Sequence, residues 1–319
     1  MAKAVFLDYG SVSFSGDLRD DALYAALPGL TIFSESADSE VDARLAGCQV
    51  ALSNAVRYSR ERLQRHPTLK LIAVTATGTN NIDLDAAREL GIAVCNIRDY
   101  CTPSIVQHVF AGLLALTHHI REYDGAVKAG QWESVPTLKG LTPIRELTGL
   151  RFGIIGFGVL GQAVARMAQA FGMHVLVAGR IGDAHVAPGR VDFAQLLPQV
   201  DVLSLHCPIT PRTRHLINRE SLRLLKSDAV LINTARGDLV DAQALAEALC
   251  AGQLGGAFID VLAEEPPTVD NALLAATIPN LILSPHMGWA AREARQRAVD
   301  ELARNVESFL CGDIRNRVV

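Results

Sequence analysis

Near its middle the chain reads Phe152-Gly153-Ile154-Ile155-Gly156-Phe157-Gly158-Val159-Leu160-Gly161. The first four residues predict a buried strand, and the Ala-rich segment from Gln162 to Phe171 predicts a helix after it. A G-x-G-x-x-G pattern between strand and helix is typical of a turn that cradles a dinucleotide. Gly156 permits the tight turn, Gly158 lets the backbone approach a pyrophosphate, and Gly161 lets helix and strand pack closely. A glycine turn without a ligand is the alternative, and the flanking strand and helix make it the weaker one.

Three chemically active residues follow short apolar runs further along the chain. The runs have the length and turn-residue boundaries of buried parallel strands: 230–232 before Arg236, 257–259 before Glu265, and 281–283 before His286. In an open parallel sheet, ligands bind outside the carboxyl ends of the strands. A cation, a carboxylate and an imidazole are therefore expected at one edge, where they suit a site that binds an anion and moves a proton.

Four ordered motifs resemble the D-isomer-specific 2-hydroxyacid dehydrogenases over nearly the whole chain. They are the glycine loop, Asn-Thr-Ala-Arg-Gly at 233–237, Asp-Val-Leu-Ala-Glu-Glu-Pro at 260–266, and Ser-Pro-His-Met-Gly-Trp at 284–289. Within the family, residues 100–108 and Trp289 are most similar to the members that act as glycerate dehydrogenase or hydroxypyruvate reductase. The resemblance implies an NAD(P)-dependent oxidoreductase that reduces hydroxypyruvate or glyoxylate to the D-2-hydroxy acid, and it implies a homodimer.

Strand and helix patterns alternate through both halves of the chain and predict an α/β fold with two doubly wound parallel-sheet domains. In the first half, strands are expected at 4–7, 30–33, 50–53, 71–74 and 93–95, and helices near 17–27, 59–65 and 84–90. Thr102-Pro103 opens a long helix, and a last helix covers about 290–310. The resemblance implies a Rossmann cofactor domain, residues 99–288, inserted into a flavodoxin-like substrate domain of residues 1–98, to which residues 289–319 return.

To reduce a 2-keto acid, an enzyme must bind the substrate carboxylate, polarise the carbonyl group and donate a proton to the carbonyl oxygen. Arg236 offers a positive fork for the substrate oxygens, with a surface salt bridge as the alternative. His286 is the expected general acid for reduction and base for oxidation, with a structural histidine at a strand end as the alternative. A neighbouring carboxylate would orient the imidazole and favour its protonated form. The residues alone do not choose between Glu264 and Glu265, and Glu265 matches the family position.

The resemblance also implies binding residues for the cofactor and the substrate. Asp260 is expected to hold the nicotinamide ring and its carboxamide, with a turn cap as the alternative. The full set of expected cofactor-binding residues is Gly156, Gly158, Val159, Leu160, Gly161, Gly179, Arg180, Cys207, Pro208, Thr213, Thr234, Ala235, Asp260 and Gly288. The expected substrate-binding residues, besides Arg236 and His286, are Asn54, Ala76, Thr77 and Gly78 in turns that follow predicted strands.

The end of the strand at 174–178 predicts the preferred cofactor. NAD-binding proteins with this glycine loop carry an acidic residue there for the ribose hydroxyls. This chain has Gly179 in that place, followed by Arg180, whose guanidinium suits a phosphate; Asp183 lies further on. The sequence therefore predicts NADP as the preferred cofactor, with NAD possible if Gly179 is only a turn and Arg180 only a solvated charge.

Composition limits the other function classes. A net charge of −4 and an aromatic content of 5% argue against nucleic-acid and membrane partners. The six cysteines are scattered, and neither they nor the histidines have the spacing of metal ligands, so we expect no metal site. We expect a cytoplasmic protein whose cysteines are reduced. D-3-phosphoglycerate dehydrogenase is the rival activity. A nucleotide-sensing protein like the corepressors built on this fold is the rival from another class.

Overall fold

A computed structural model describes residues 3–132, 143–183, 185–275 and 277–319 of the chain. By its backbone contacts the chain divides into two units: Met1–Cys101 together with Trp289–Val319, and Thr102–Gly288. Among these described residues each unit contains one sheet, and all the strand pairs in both sheets are parallel. No helix within the described ranges is long and apolar enough to cross a membrane.

The strands, in chain order, are β1 (Ala4–Phe6), β2 (Leu30–Ile32), β3 (Val50–Ser53), β4 (Leu71–Val74), β5 (Ala93–Cys95), β6 (Arg151–Ile155), β7 (His174–Val177), β8 (Val202–Leu205), β9 (Val230–Asn233), β10 (Gly256–Ile259) and β11 (Leu281–Leu283). The helices are α1 (Asp21–Ala26), α2 (Asp38–Leu45), α3 (Arg60–Arg65), α4 (Leu84–Glu89), α5 (Thr102–Thr117), α6 (Ile120–Lys128), α7 (Val159–Ala170), α8 (Phe193–Leu196), α9 (Arg219–Leu224), α10 (Ala242–Cys250) and α11 (Arg292–Leu310).

The first unit has a five-stranded sheet in the order β2-β1-β3-β4-β5, which is the flavodoxin-like order. Its strands other than the edge strand β2 are buried on both faces, because side chains alternate between two apolar layers. Phe6 contributes to one layer and Leu7 to the other. The last helix of the chain, α11, packs in the first layer through Val299 and Leu302. An ion pair between the buried Arg295 and the partly exposed Asp17 also ties α11 to the segment after β1.

The second unit has a six-stranded sheet in the order β11-β10-β9-β8-β6-β7. The strand order reverses beside β6, so the glycine loop that follows β6 stands at the point where such sheets bind ligands. Helix α5 packs against β9, β10 and α7. It lies so close to β10 that a Cβ atom on Gly112 would be 2.1 Å from a ring carbon of Phe258.

The two doubly wound parallel-sheet domains predicted from the sequence are confirmed. The expected strands agree with the observed ones to within one residue in the first unit. Helix boundaries agree less well: α1 begins at Asp21 rather than near Asp17, and α7 begins at Val159 rather than Gln162. Helix α2 was not predicted, because only Val41 and Leu45 among its eight residues are buried.

Candidate active site

The second sheet brings the three expected catalytic residues to neighbouring strand ends. Arg236 follows β9, Glu265 follows β10 and His286 follows β11, and these strands are adjacent. The loop that carries Arg236 also packs directly on the loop that leads to Glu265, since a Cβ atom on Gly237 would lie 1.9 Å from the carbonyl carbon of Leu262. Only glycine fits at that contact, so residue 237 lets the two loops meet.

His286 and Glu265 form a direct pair. Nδ1 of His286 lies 2.6 Å from Oε2 of Glu265, and Oε1 of the same carboxylate accepts a hydrogen bond of 2.9 Å from the backbone N–H of Leu262. A carboxylate is only an acceptor, so Nδ1 must carry the proton in this pair. Nε2 is then the nitrogen that can take up or release a proton. Glu264 is exposed, and within the described residues it makes no ion pair.

Arg236 presents an exposed guanidinium at the same edge. Its Nη1 donates to the carbonyl oxygen of Ala235 at 2.6 Å, and no described carboxylate pairs with it. Its backbone is fixed, because Nδ2 of Asn233 donates to the carbonyl oxygen of Arg236 at 2.9 Å. An arginine with a fixed backbone and no carboxylate partner among the described residues suits an anionic ligand better than a structural ion pair.

The carboxylate of Asp260 is 2% exposed and is occupied by protein donors. Oδ1 accepts from Oγ of Ser284 at 2.6 Å and from the N–H of Met287 at 2.8 Å, and it lies 3.1 Å from Nε2 of His108. Oδ2 accepts from the N–H of Gly288 at 2.9 Å. Burial alone would raise the pKa of Asp260, but these hydrogen bonds outweigh it and hold the pKa below its usual value. Asp260 is therefore an ionised carboxylate inside the protein.

The three glycines of the loop after β6 differ in what surrounds them. Gly156 has φ of +92°, and a Cβ atom there would lie 2.5 Å from the carbonyl carbon of His206. A Cβ atom on Gly161 would lie 2.1 Å from the carbonyl oxygen of Gly156. A Cβ atom on Gly158 would meet nothing within 4 Å among the described atoms. Gly156 and Gly161 are thus required by the fold, whereas Gly158 leaves an open side at the N-terminus of α7, where a phosphate can bind.

A cavity of about 750 Å³ adjoins this loop. It is lined by Gly156 and by five of the other expected cofactor residues: Gly179, Arg180, Cys207, Pro208 and Thr213. Burial raises the pKa of the Cys207 thiol to about 11, so this cysteine lines the cavity as a neutral group. Arg190 and Arg212, which the sequence did not single out, also line it, and within the described chain none of the three arginines pairs with a carboxylate. Asp183 lines it as well.

Two buried polar atoms at the ends of β8 and β9 have no partner within the described protein. They are Nδ1 of His206 and Oγ1 of Thr234. The two strands are paired, with Leu205 opposite Asn233, so the next residues His206 and Thr234 follow neighbouring strand ends. Burial lowers the pKa of His206 to about 4. Buried polar groups without a partner are rare, and here they fit the polar groups of a bound cofactor.

The remaining expected cofactor residues have identifiable surroundings. Oγ1 of Thr213 donates to the carbonyl oxygen of Pro208 at 2.9 Å and so holds the turn on the cavity wall. Val159 and Leu160 form the first turn of α7. The N–H of Ala235 donates to Oδ1 of Asn233 at 3.1 Å.

The four expected substrate residues of the first unit lie in turns after β3 and β4. Asp8, whose pKa is raised by burial despite opposing hydrogen bonds, accepts from the N–H of Asn54 at 2.8 Å. The turn at 76–78 is tied to residues after β5: the N–H of Ile97 donates to the carbonyl oxygen of Ala76 at 3.1 Å, and Oγ1 of Thr77 donates to that of Ile97 at 2.9 Å. Asn54, Ala76, Thr77 and Gly78 remain predictions as substrate ligands.

Sequence reasoning missed His108 and Ser284, which contact Asp260. One signal was available: Ser104 and His108 are polar residues four apart on α5, and positions four apart share a helix face. Oγ of Ser104 donates to the carbonyl oxygen of Gly288 at 2.6 Å, so both residues face the segment that follows β11.

Comparison with known proteins agrees with this geometry. The family model for the NAD binding domain of D-isomer specific 2-hydroxyacid dehydrogenases matches residues 110–288. A glycerate dehydrogenase of Methylorubrum extorquens is 43% identical over 280 residues, which cover 88% of each chain. A hydroxypyruvate reductase of Blautia hydrogenotrophica is 38% identical, covering 86% of this chain and 85% of that protein. A solved structure from Thermus thermophilus superimposes with a TM-score of 0.86 at 34% identity over 99% of each chain.

Proposed function

This chain belongs to the D-isomer specific 2-hydroxyacid dehydrogenase family, and we propose that it reduces hydroxypyruvate or glyoxylate to the corresponding D-2-hydroxy acid, with NADPH preferred over NADH. The observation that carries the proposal is the His286–Glu265 contact of 2.6 Å at the sheet edge where Arg236, which has no carboxylate partner among the described residues, follows the strand next to that of Glu265. The two relatives compared are named for the same substrate and product, glycerate dehydrogenase and hydroxypyruvate reductase.

Arg236 binds the substrate in this mechanism. Its guanidinium has five N–H donors in a planar fork, which match the carboxylate oxygens and the neighbouring carbonyl oxygen of a 2-keto acid. The positive charge stabilises the negative charge that develops on the carbonyl oxygen as it is reduced. Asn54, Ala76, Thr77 and Gly78 are proposed as further contacts to the substrate.

His286 supplies the proton. Glu265 accepts from Nδ1 and stabilises the imidazolium, so Nε2 can donate to the carbonyl oxygen as it becomes a hydroxyl. In the reverse direction the neutral ring accepts the hydroxyl proton at Nε2. The carboxylate of Glu265 keeps the same tautomer in both directions, because it accepts only at Nδ1.

A bound nicotinamide cofactor supplies the two electrons and the hydrogen that reduce the carbonyl carbon. The open side of Gly158 and the N-terminus of α7 would hold its phosphates. The unpaired polar atoms of His206 and Thr234 would hold polar groups of the cofactor, with the wider set of expected residues around them. Arg180, with Arg190 and Arg212 on the same cavity, would bind the 2′-phosphate of NADPH, and only Asp183 among the described lining residues opposes that charge.

A homodimer is part of the proposal. No residue of α6 is buried, and four large apolar side chains on this helix and the segments after it are exposed: Ile120 by 58%, Val127 by 42%, Trp132 by 78% and Ile144 by 54%. Exposed apolar side chains of this size are common in protein interfaces, so we propose that α6 and the segments after it take part in the dimer contact. Light scattering that gave a monomer mass at micromolar concentration would contradict this part.

A substrate panel tests the activity. Hydroxypyruvate, glyoxylate and phosphohydroxypyruvate are each assayed with NADPH and with NADH by the absorbance of the reduced nicotinamide. We expect the highest kcat/KM with an unphosphorylated keto acid and NADPH. A preference for phosphohydroxypyruvate would point to D-3-phosphoglycerate dehydrogenase. Cofactor binding without turnover of any keto acid would point to the nucleotide-sensing alternative.

Arg180→Ala tests the cofactor preference. Loss of a charge-assisted contact to a phosphate should weaken NADPH binding by roughly tenfold or more and leave NADH binding nearly unchanged. Arg166→Ala is the matched control, because Arg166 is an exposed arginine of α7 that does not line the cavity. Equal affinity of the Arg180→Ala variant and the parent for NADPH would remove Arg180 from the assignment, and an NADH preference of the parent would refute the NADPH assignment.

A further inference from the structure

The backbone at His286 has a conformation that the side chain itself does not favour. Its φ of +53° lies in the left-handed region, which costs a residue with a Cβ atom about 1–2 kcal/mol. Such a conformation persists where the surroundings determine it. A proton donor held in this way depends on the contacts that fix its backbone.

Asp260 provides most of those contacts. Its carbonyl oxygen accepts from the N–H of His286 at 2.8 Å. Its two carboxylate oxygens accept from the next two amides, those of Met287 at 2.8 Å and Gly288 at 2.9 Å. Three successive N–H groups therefore end on one residue, and the orientation of the Asp260 carboxylate sets the course of the chain through His286.

His108 fixes that carboxylate from a different element. Its Nε2 lies 3.1 Å from Oδ1 of Asp260 and 3.0 Å from Oγ of Ser284. The hydroxyl hydrogen of Ser284 is already given to Asp260, so both neighbours of Nε2 are acceptors and Nε2 must carry the proton. The His108 ring also meets the ring of Phe258 edge-on, with centroids 4.9 Å apart.

We propose that His108 is a positioning residue for the reduction: its Nε2–H holds the Asp260 carboxylate, which holds the backbone of residues 286–288 and thereby places the His286 ring. The inference rests on the proposed function for its catalytic consequence. It gives α5 a role in the site, because the helix is seated on β10 by the close approach of Gly112 to Phe258. His108 itself does not take part in proton transfer.

The test is His108→Leu, which removes the donor and keeps an apolar side chain of similar reach. We expect kcat to fall about tenfold, as for loss of a hydrogen bond to a charged group, with the Kd of NADPH changed by less than about twofold. Amide hydrogen exchange of the segment 284–290, measured without cofactor, should become about tenfold faster. His108→Gln should keep most of the parent kcat and most of the parent's slow amide exchange, since the Nε2 of glutamine can donate at a similar distance.

Gln107→Leu is the matched control, because Gln107 is the exposed neighbour of His108 on α5. Parent-like kcat and parent-like exchange in His108→Leu would overturn the inference. So would a loss of NADPH affinity with kcat at saturation intact, since His108 would then be a cofactor contact. If His108→Leu does not fold, Ser284→Ala removes a smaller donor to the same oxygen and gives the same readings. A parent protein without turnover would refute the proposed function, while the exchange measurement would still decide whether His108 holds the segment.

Discussion

Two glycines of the loop between β6 and α7 form a matched pair that separates folding from cofactor binding. A Cβ atom on Gly161 would lie 2.1 Å from the carbonyl oxygen of Gly156 and 3.1 Å from its carbonyl carbon. A Cβ atom on Gly158 would meet no described atom within 4 Å, and the φ of −74° at Gly158 is open to any residue. Alanine at position 161 should therefore destabilise the folded protein, whereas alanine at position 158 should only weaken the binding of a ligand.

The expected magnitudes differ accordingly. At Gly161 the contact must lengthen by about 1 Å, and backbone atoms cannot move away as a side chain can. Overpacking of this kind costs about 1–3 kcal/mol and sometimes more, so we expect the free energy of unfolding to fall by at least about 2 kcal/mol. Gly158 is the N-cap of α7, where alanine is worse by about 1 kcal/mol, but replacing glycine gains about 0.4–1 kcal/mol from the unfolded chain. These two effects nearly cancel.

Urea unfolding without ligand measures the free energy of unfolding of each variant. Quenching of protein fluorescence by NADPH measures the Kd of the cofactor. The free energy of unfolding of Gly158→Ala should lie within about 1 kcal/mol of that of the parent. The variant should bind NADPH at least about tenfold more weakly, because its methyl group occupies the open side of the loop. Gly161→Ala should lose stability. The reasoning fails if Gly158→Ala binds NADPH as the parent does, or if Gly161→Ala is as stable as the parent.

Three further predictions concern histidines and their partners. His286→Gln should lower kcat by roughly 10²- to 10⁴-fold with little change in the Kd of NADPH, and a near-normal kcat would reject His286 as the proton donor. Glu265→Gln should lower kcat for reduction, because the imidazolium loses its negative partner, whereas the control Glu264→Gln should keep the parent kcat; equal kcat in Glu265→Gln and the parent would reject the pairing. Burial lowers the pKa of His206 from 6.5 to about 4, so the unfolded chain binds a proton that the folded one does not as pH falls through this range. Denaturant titrations should show the free energy of unfolding of the parent falling by about 2–3 kcal/mol more than that of His206→Gln between pH 7.5 and pH 4.5, and parallel losses would contradict the burial.

Most of the strands could be predicted from the sequence because all or nearly all of their residues are buried. A run such as Leu71–Val74, with all four residues buried, has no polar position to weaken its pattern. Short surface helices lack that signal. The expected helix from Asp17 began too early, since α1 starts at Asp21 and buries only Leu23.

The candidate site could be predicted where the chemistry follows a strand end, as at Arg236, Glu265 and His286. It could not be predicted where two distant segments meet. His108 and Asp260 are 152 residues apart, and their contact depends on α5 packing on β10. Arg190 and Arg212 join the cavity beside Arg180 for the same reason, because only the folded loops bring the three cations to one wall.

Asp260 shows most clearly what the fold adds to the sequence. An ionised carboxylate has about four lone-pair directions, and here four protein donors approach them: Ser284, His108 and the amides of Met287 and Gly288. Its expected role in holding a nicotinamide ring remains a prediction, and a cofactor amide would have to share an oxygen with a donor already in place. The same carboxylate fixes the backbone that follows His286. Placement of the proton donor would then depend on one buried carboxylate, whose orientation is set by His108 from a different element of the fold.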